Sequence, residues 1–158
     1  MPQEKTVLAT VCFVTRDRRV LMIHKQDWHG IGEEVWNGVG GKAELDEDPT
    51  ENCIRETFEE TGLRISNPRL RCIQVGNSRI GKEKWVIFTY LANKFELYVK
   101  ESGEGEVKWV NFEDIPKLNI PPNLRLIFSR IFDEDEPLFL LKYIYSQGKI
   151  IHHRITNL

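Results

Sequence analysis

The sequence lacks the features that define several large classes of protein. Its three cysteines form no CxxC pair and no cysteine–histidine cluster, which argues against a zinc site. No apolar run approaches the roughly 20 residues of a membrane span, and neither repeats nor a Gly/Ser-rich linker divide the chain. The 22 basic residues nearly balance the 24 acidic ones, so nothing favours binding to a nucleic acid polymer. These absences predict one globular domain over residues 1–158.

The cysteines also bear on where the protein works. Cys12, Cys53 and Cys72 each lie among apolar neighbours, which is typical of buried free thiols in a reducing compartment, and we therefore expect a cytoplasmic protein. The apolar run over residues 7–14 has one base before it and no small-residue cleavage site after it. We interpret it as a β-strand rather than part of a signal peptide. Composition leaves both a monomer and a homodimer open.

Runs rich in β-branched and aromatic residues predict a β-sheet. They form three hairpins and one separate strand, at residues 6–25, 70–93, 138–155 and 106–112. Gly81 and Gly148 are expected at the turns of the second and third hairpins.

Two segments carry helical signals. In the first, Asp48 can cap the helix, Pro49 occupies the first helical position, and Gly62 is well placed to end the helix after Thr61. The second covers residues 123–132, where an apolar stripe at helical spacing predicts a face that packs into the core. Together these elements predict an α/β fold with a mixed sheet and two packed helices.

The first predicted helix belongs to a segment crowded with acidic residues. Between Gly41 and Leu63 these are Glu44, Asp46, Glu47, Asp48, Glu51, Glu56, Glu59 and Glu60. At about 100° per residue, Glu56, Glu59 and Glu60 share one helical face. The opposite face, which is expected to pack on the sheet, carries Ile54, Phe58 and Thr61.

Three like charges on one face call for an explanation. At these spacings they repel each other by about a few tenths of a kcal/mol per pair. A divalent cation reverses the sign of that interaction, and carboxylates without neighbouring Cys or His suit a hard ion such as Mg²⁺. The alternative is an ordinary solvated helix face, because charge runs are common in proteins. Spacing alone therefore indicates a metal site without deciding between the two.

The same segment resembles the signature of a known family. Gly41, five residues, Glu47, seven residues and then RETFEETGL match the Nudix box, G-x5-E-x7-R-E-U-x-E-E-x-G-U, in which U is a bulky apolar residue. Thr57 is the one departure, since an aliphatic residue is usual there; we expect slightly softer packing and unaffected metal ligands. The resemblance implies a Nudix α/β/α sandwich with a mixed β-sheet, in which the box forms a catalytic loop–helix–loop.

The resemblance also implies roles for the box residues. The implied ligands of Mg²⁺ or Mn²⁺ are Glu56, Glu59, Glu60 and a main-chain carbonyl of the Gly40–Gly41 turn. Arg55 would pair with Glu47 and hold the loop–helix–loop in shape.

The segments that flank the box, VWNGVGGK and EGEVKWVNFEDIP, are similar to MutT-type oxidised purine nucleoside triphosphate diphosphatases. In that branch the asparagine that matches Asn37 hydrogen-bonds the purine base, a task that suits an amide with both a donor and an acceptor. Glu104 is a further candidate for a metal ligand or the catalytic base, with a solvated loop acid as the alternative.

One segment departs from that branch. Close relatives usually carry a tryptophan followed by an aspartate that binds the base, whereas Ile120, Pro122 and Asn123 occupy those places here. Asn123 could still hydrogen-bond a base, and Ile120 is interpreted as core or pocket wall. Trp28 or Trp36 could supply the missing stacking surface, with simple packing as the alternative.

The resemblance predicts metal-dependent hydrolysis of a (deoxy)nucleoside triphosphate, for example 8-oxo-dGTP, to a nucleoside monophosphate and pyrophosphate. Water would attack the β-phosphorus, and Glu59, Glu60 or Glu104 would take its proton. Lys25 and Lys42 are candidate phosphate contacts, although either could be a plain surface cation. His29 is interpreted as an exposed loop histidine.

Two other functions remain in view. Branches that act on ADP-ribose or dinucleoside polyphosphates typically show a proline or tyrosine past the box, and residues 77–81 have neither. A non-catalytic nucleotide sensor usually has eroded glutamates, whereas all three box glutamates are present here. An RNA-end pyrophosphohydrolase finds no support in the mildly acidic charge.

Overall fold

The structure contains the strands and helices predicted from the sequence and, in addition, several short strands that were not predicted. The computed structural model describes residues 4–28, 33–78, 82–100, 103 and 105–158. The strands are β1 (Lys5–Arg16), β2 (Arg19–Trp28), β3 (Glu33–Asn37), β4 (Val39–Lys42), β5 (Arg64–Ile65), β6 (Arg69–Ser78), β7 (Glu83–Ala92), β8 (Phe95–Glu96), β9 (Glu106–Asn111), β10 (Phe139–Ser146) and β11 (Lys149–Asn157). The helices are α1 (Pro49–Thr61), a 3-10 helix (Phe112–Lys117) and α2 (Pro122–Phe132).

The main sheet is mixed, as predicted. Its strand order is β11-β10-β6-β7-β1-β2-β3, with β4 paired to β1 and β9 paired to β2. β1 runs parallel to β7 and β10 runs parallel to β6, while the other pairs are antiparallel. β5 and β8 form a separate two-stranded pair. β1 therefore lies between the glycine-containing β4 and the long strand β7.

The central strands carry buried side chains on both faces of the sheet, since successive residues of a strand point to opposite sides. One apolar cluster joins Phe13, Val20 and Met22 of the sheet to Leu124, Ile127 and Ile131 of α2. The other joins Cys12, Leu21 and Ile23 to Cys53 of α1 and to Leu63 just beyond it. One helix thus covers each face, which is the expected α/β/α sandwich. All three cysteines are free and buried, as predicted.

The boundaries of α1 follow from its local sequence. The Asp48 carboxylate accepts a hydrogen bond from the main-chain N–H of Glu51 (2.8 Å), and the Glu51 side chain accepts one from the N–H of Asp48 (3.1 Å). This capping box starts the helix at Pro49. Gly62 ends it in a left-handed conformation at φ 81°, and its N–H donates to the Phe58 carbonyl.

Of the three residues predicted to pack on the sheet, Thr61 is buried and Ile54 packs against the apolar cluster, whereas Phe58 does not. Phe58 is 45% exposed and lies 5.8 Å from the guanidinium of Arg64. The buried residues of the helix are Asn52, Cys53, Thr57, Glu60 and Thr61. α1 contacts β4 and β1, and Gly41 of β4, where a Cβ would meet Glu56, allows the helix to approach closely. The prediction that Phe58 packs on the sheet was wrong for this reason.

The end of α2 depends on an arginine from the sheet. Arg71 of β6 is buried and donates hydrogen bonds to the main-chain carbonyls of Ile131 (3.2 Å), Arg130 (3.2 Å), Asp133 (2.7 Å) and Glu136 (2.9 Å). These bonds satisfy carbonyls that the helix end leaves without intrahelical partners. They also tie α2 to the strand beneath it.

The predicted hairpins are β1–β2, β6–β7 and β10–β11, all antiparallel. Gly148 lies at the last turn with φ 79°, and Gly81 lies outside the described residues. The Gly40–Gly41 segment, predicted as a turn, is part of β4 because it pairs with Thr10 and Val11 of β1. Within the described residues, no helix is long and apolar enough to cross a membrane.

Candidate active site

The three predicted metal ligands lie at increasing depth on α1. The side chain of Glu59 is 54% exposed and that of Glu56 is 16% exposed, whereas Glu60 is only 2% exposed. Burying a carboxylate costs free energy unless charged or polar groups compensate for it. An ordinary solvated helix face therefore accounts for the exposure of Glu59 but not for the burial of Glu56 and Glu60.

Arg55 is the centre of the acidic cluster. Its Nε donates to Oε2 of Glu47 (2.5 Å) and its Nη2 donates to Oε1 of the same carboxylate (2.9 Å). Its Nη1 lies 3.0 Å from Oε2 of Glu59 and 3.3 Å from Oε1 of Glu56. The hydrogen bonds from Arg55 lower the pKa of Glu47 from 4.5 to about 2. One guanidinium therefore holds the loop carboxylate and two of the helix carboxylates together.

A buried amide that the sequence pattern did not single out connects α1 to the sheet. Asn52 donates through Nδ2 to the carbonyl of Lys42 (3.0 Å) and to Oε1 of Glu47 (3.2 Å). Its Oδ1 accepts a hydrogen bond from the hydroxyl of Thr10 (2.6 Å). Asn52 thus positions the end of β4, the loop and the helix relative to each other. An isolated asparagine inside a helix gives no sequence signal for such a role.

Gly41 and Glu56 bring β4 and α1 into direct contact. A Cβ atom added at Gly41 would lie 2.7 Å from both Cδ and Oε1 of Glu56. The carboxylate therefore rests against the main chain of β4, in space that any other residue at position 41 would fill. The two parts of the predicted metal site, the glycine segment and the glutamate face, meet at this point.

The donor set suits a hard divalent cation in its chemistry. Carboxylates of Glu56, Glu59 and Glu60 together with the main-chain carbonyl of Gly41 are the oxygen ligands that Mg²⁺ and Mn²⁺ take. Among the residues that the structure describes, no three His, Cys, Asp or Glu side chains already lie close enough together to hold a metal ion, so the side chains of Glu56, Glu59 and Glu60 would have to move towards one another on binding. Arg55 supplies the positive charge next to Glu56 and Glu59 in this arrangement. An ion bound here would therefore share these carboxylates with Arg55.

A cavity of about 670 Å³ lies beside this cluster. The four predicted substrate contacts all line it, although they come from four different elements: Lys25, Asn37, Lys42 and Asn123. Gly41 lines the same cavity and also adjoins the Glu56 carboxylate, although none of the three glutamates lines the cavity itself. The fold thus brings the predicted binding residues to one side of the acidic helix.

The polar groups in the cavity are held by the protein. Oδ1 of Asn37 accepts a hydrogen bond from the N–H of Gly38 (2.8 Å), which leaves its Nδ2 group to donate to a ligand. Nδ2 of Asn123 donates to Oε1 of Gln74 (2.7 Å). The ammonium of Lys42 lies 5.4 Å from the centre of the Trp85 ring.

Sequence reasoning missed the aromatic walls of the cavity. Trp85 of β7 and Tyr143 and Tyr145 of β10 line it, and a Cβ at Gly76 would collide with the Tyr143 ring, so this glycine makes room for the tyrosine. Trp36, one of the two tryptophans considered for stacking, instead stacks on His24 at 4.7 Å and packs against the core. Because β6 lies between β7 and β10, only the strand order brings these aromatics together.

The structure describes only one of the remaining side chains for which the sequence made a prediction. Ile120 is buried in the apolar cluster under α2, as interpreted. His29, Glu104 and the side chain of Trp28 lie outside the described residues. A second cavity of about 450 Å³ lies near the β1–β2 turn and contains none of the predicted site residues.

A mixed sheet with a helix on each face and an acidic loop–helix–loop beside a deep cavity is the arrangement expected of a Nudix protein. The model of the NUDIX domain matches residues 5–131 of this chain, and the chain therefore belongs to the Nudix domain family. Its relatives are named hydrolases, and the chain is a Nudix hydrolase.

Known proteins resemble this chain over most of its length. It is 33% identical over 119 residues to the uncharacterized Nudix hydrolase YvcI of Bacillus subtilis (strain 168), with 72% of this chain and 71% of the relative covered. It is 28% identical over 164 residues to the oxidized purine nucleoside triphosphate hydrolase of Danio rerio, covering 95% and 94%. The crystal structure of the MutT protein from Bacillus halodurans superimposes with a TM-score of 0.81 at 27% identity, covering 94% and 97%.

Proposed function

We propose that this Nudix hydrolase converts a (deoxy)nucleoside triphosphate to a nucleoside monophosphate and pyrophosphate, and that its substrates are oxidised purine nucleotides such as 8-oxo-dGTP. The observation that carries the proposal is that the two parts of the site share Gly41, which lines the cavity with its amide and aromatic walls and also adjoins the Glu56 carboxylate. The similarity to the Danio rerio hydrolase supports the substrate class.

The cavity has the chemistry that a nucleotide requires. Trp85, Tyr143 and Tyr145 offer aromatic surface for a base, in place of the tryptophan that the segment around Ile120 lacks. Asn37 and Asn123 offer neutral hydrogen-bonding groups to the edge of that base. Base binding by these residues requires no charge on the nucleobase.

The phosphates would extend from the cavity towards α1. Lys25 and Lys42 would contact phosphate oxygens, and the phosphate chain would draw the Lys42 ammonium away from the Trp85 ring. Arg55 would keep the loop and helix aligned through Glu47. The carboxylate of Glu59, Glu60 or Glu104 would accept the proton of the attacking water.

The proposed reaction depends on a divalent ion. Glu56, Glu59, Glu60 and the carbonyl of Gly41 would hold Mg²⁺ or Mn²⁺, which supplies charge neutralisation at the phosphates and makes water more acidic. Phosphoryl transfer needs mainly positioning and such charge stabilisation. The protein's own contribution is that Arg55 contacts Glu56 and Glu59 directly, while Asn52 ties α1 to β4 and to the loop that carries Glu47.

A nucleotide panel tests the proposal. Canonical and oxidised (deoxy)nucleoside triphosphates, ADP-ribose and dinucleoside polyphosphates would be compared by kcat/KM with Mg²⁺, with EDTA-treated enzyme as the control. We expect the highest kcat/KM for an oxidised purine triphosphate and pyrophosphate as the co-product. Preference for ADP-ribose or a dinucleoside polyphosphate would replace the proposed substrate class, and ligand binding without turnover would replace the proposed activity with that of a sensor.

We infer that the protein works in a reducing compartment such as the cytoplasm. The support is the presence of three buried cysteines that form no disulfide.

A further inference from the structure

Three hydrogen-bonded side chains run from the sheet into the wall of the cavity. Nε2 of Gln74 donates to the hydroxyl of Thr89 (2.9 Å), and Oε1 of Gln74 accepts from Nδ2 of Asn123 (2.7 Å). Thr89 belongs to β7, Gln74 to β6 and Asn123 to the first turn of α2. These three hydrogen-bonded side chains therefore link both strands of a hairpin to the helix that covers them.

The two inner side chains of this series, Thr89 and Gln74, are buried and are not accessible to a ligand. Thr89 is 0% exposed and Gln74 is 3% exposed, whereas Asn123 is partly exposed and lines the cavity. If a buried amide loses a hydrogen-bond partner, the folded protein is destabilised by the full free-energy cost of desolvating that group. Both ends of the Gln74 amide are used within the protein, with Nε2 towards Thr89 and Oε1 towards Asn123.

The orientation of Gln74 determines that of Asn123. Because Gln74 directs its nitrogen to Thr89, its oxygen faces Asn123 and selects the nitrogen end of that amide. Oδ1 of Asn123 and its second amide hydrogen are then left for a ligand. A free asparagine could present either end, but this one has a defined donor and acceptor.

We infer that Thr89 and Gln74 hold the Asn123 amide in one orientation, and that Asn123 in this orientation selects the nucleobase. This inference rests on the proposed function, because it assigns a nucleotide to the cavity. Asn123 is the residue that touches the base, and Thr89 and Gln74 are positioning residues that act through it.

The hydrogen-bonding groups that Asn123 leaves free determine which kind of base edge can bind. The free carbonyl and free amide hydrogen of Asn123 match an edge that carries a hydrogen-bond donor next to an acceptor, as N6 and N7 of adenine do. Asn37 adds mainly donors, because one of the two lone pairs of its oxygen already accepts from the N–H of Gly38. Both side chains are neutral, so the selection depends on hydrogen-bond direction and not on charge.

Two variants of Thr89 form a matched test. Thr89→Val keeps the shape but removes the hydroxyl, whereas Thr89→Ser keeps the hydroxyl. The measured quantity is base discrimination, the ratio of kcat/KM for the preferred triphosphate to that for the poorest accepted one. We expect Thr89→Val to lower this ratio about threefold to tenfold, the size of one hydrogen bond, through KM of the preferred substrate. Thr89→Ser should keep the ratio within about twofold of wild type.

A second variant separates folding from selection. Gln74→Met removes the central amide, and we expect at least as large a loss of discrimination as in Thr89→Val, with folding checked by thermal melting. If Gln74→Met does not fold, the comparison of Thr89→Val with Thr89→Ser decides the question, because neither change alters a residue that touches the base. Wild-type discrimination in folded Thr89→Val, or equal losses in Thr89→Val and Thr89→Ser, would overturn the inference.

The same panel distinguishes this inference from the proposed function. If wild-type protein hydrolyses no triphosphate, the proposed activity fails, and base discrimination is then measured as the ratio of dissociation constants by calorimetry in the same variants. If wild-type protein hydrolyses triphosphates with clear base preference and the variants keep that preference, the activity stands and the positioning role of Thr89 and Gln74 fails.

Discussion

Arg55 and Glu47 form a two-point ion pair that joins α1 to the loop before it. Nε and Nη2 of Arg55 lie 2.5 Å and 2.9 Å from the two carboxylate oxygens of Glu47. The remaining nitrogen of the guanidinium lies beside Glu56 and Glu59. The geometry of the acidic cluster therefore depends on a residue that is not itself a proposed metal ligand.

Glu47→Gln should destabilise the protein. The substitution removes the charge from a partly buried pair of charge-assisted hydrogen bonds, which contribute about 2 kcal/mol. For a chain of this size we expect Tm to fall by about 4–8 °C in thermal melts. Glu44→Gln is the matched control, because Glu44 is 65% exposed and its carboxylate lies 3.8 Å from Arg55, so its Tm should change little. Equal changes in Tm in the two variants would show that the Arg55–Glu47 ion pair stabilises the protein no more than the exposed contact of Glu44 does.

The same pair makes stability depend on acid pH. Arg55 holds the pKa of Glu47 at about 2, below its ordinary value of 4.5. A carboxyl with a depressed pKa in the folded state stabilises the protein fully above its unfolded value, and this contribution is lost as the pH falls from about 4.5 towards 2. We expect denaturant titrations in that window to show a smaller loss of stability for Glu47→Gln than for wild type. Parallel curves would contradict the assignment.

Glu59→Gln and Glu60→Gln should separate chemistry from folding. If these carboxylates hold the ion, each variant should lose on the order of a hundredfold or more in kcat and bind Mn²⁺ more weakly by calorimetry. Asp46→Asn, an exposed change in the neighbouring loop, is the control and should retain wild-type kcat. Undiminished metal-dependent hydrolysis in both glutamine variants would remove them from the site.

Gly41→Ala should lower activity while the protein still folds. The added Cβ would lie 2.7 Å from the end of the Glu56 side chain, and a flexible carboxylate can move away from it at little expense to the fold. Displacement of Glu56 should reduce both kcat and Mg²⁺ affinity. The informative comparison is Tm against kcat: a large fall in Tm, or unchanged kcat, would contradict the contact as described.

The three thiols should be inert in the native protein. Burial raises the pKa of Cys72 to about 12, and the contact with Cys12, together with burial, raises that of Cys53. Because the thiolate is the reactive form, Ellman's reagent at pH 8 should modify none of the three within minutes, and all three after denaturation in guanidinium. Rapid modification of the folded protein would show that the core opens locally.

Local signals in the sequence were sufficient for the helix boundaries and the long hairpins. The capping box at Asp48 and the left-handed Gly62 act within a few residues of chain, so α1 was predicted to within one residue. The hairpins β6–β7 and β10–β11 join strands that follow each other in the sequence. The Arg55–Glu47 contact was also accessible, because both residues lie in the box.

Short strands and packing faces were not accessible in this way. β4 contains two adjacent glycines and reads as a turn, yet it is a strand because β1 pairs with it. Phe58 was expected in the core, but the close approach of α1 to β4 selects Thr57 and Glu60 for the buried face. These outcomes depend on the distance between two elements, which no local pattern encodes.

By itself the sequence determined the acidic helix, its caps and the spacing of its glutamates, because these follow from positions a few residues apart. Only the tertiary structure decided how deeply each carboxylate is buried and which groups share a wall with them. Gln74, Trp85, Asn123 and Tyr143 meet in one cavity because β6 lies between β7 and β10 with α2 packed above. Long-range strand order and helix packing, which bring distant residues into contact, therefore set the proposed selection of the base.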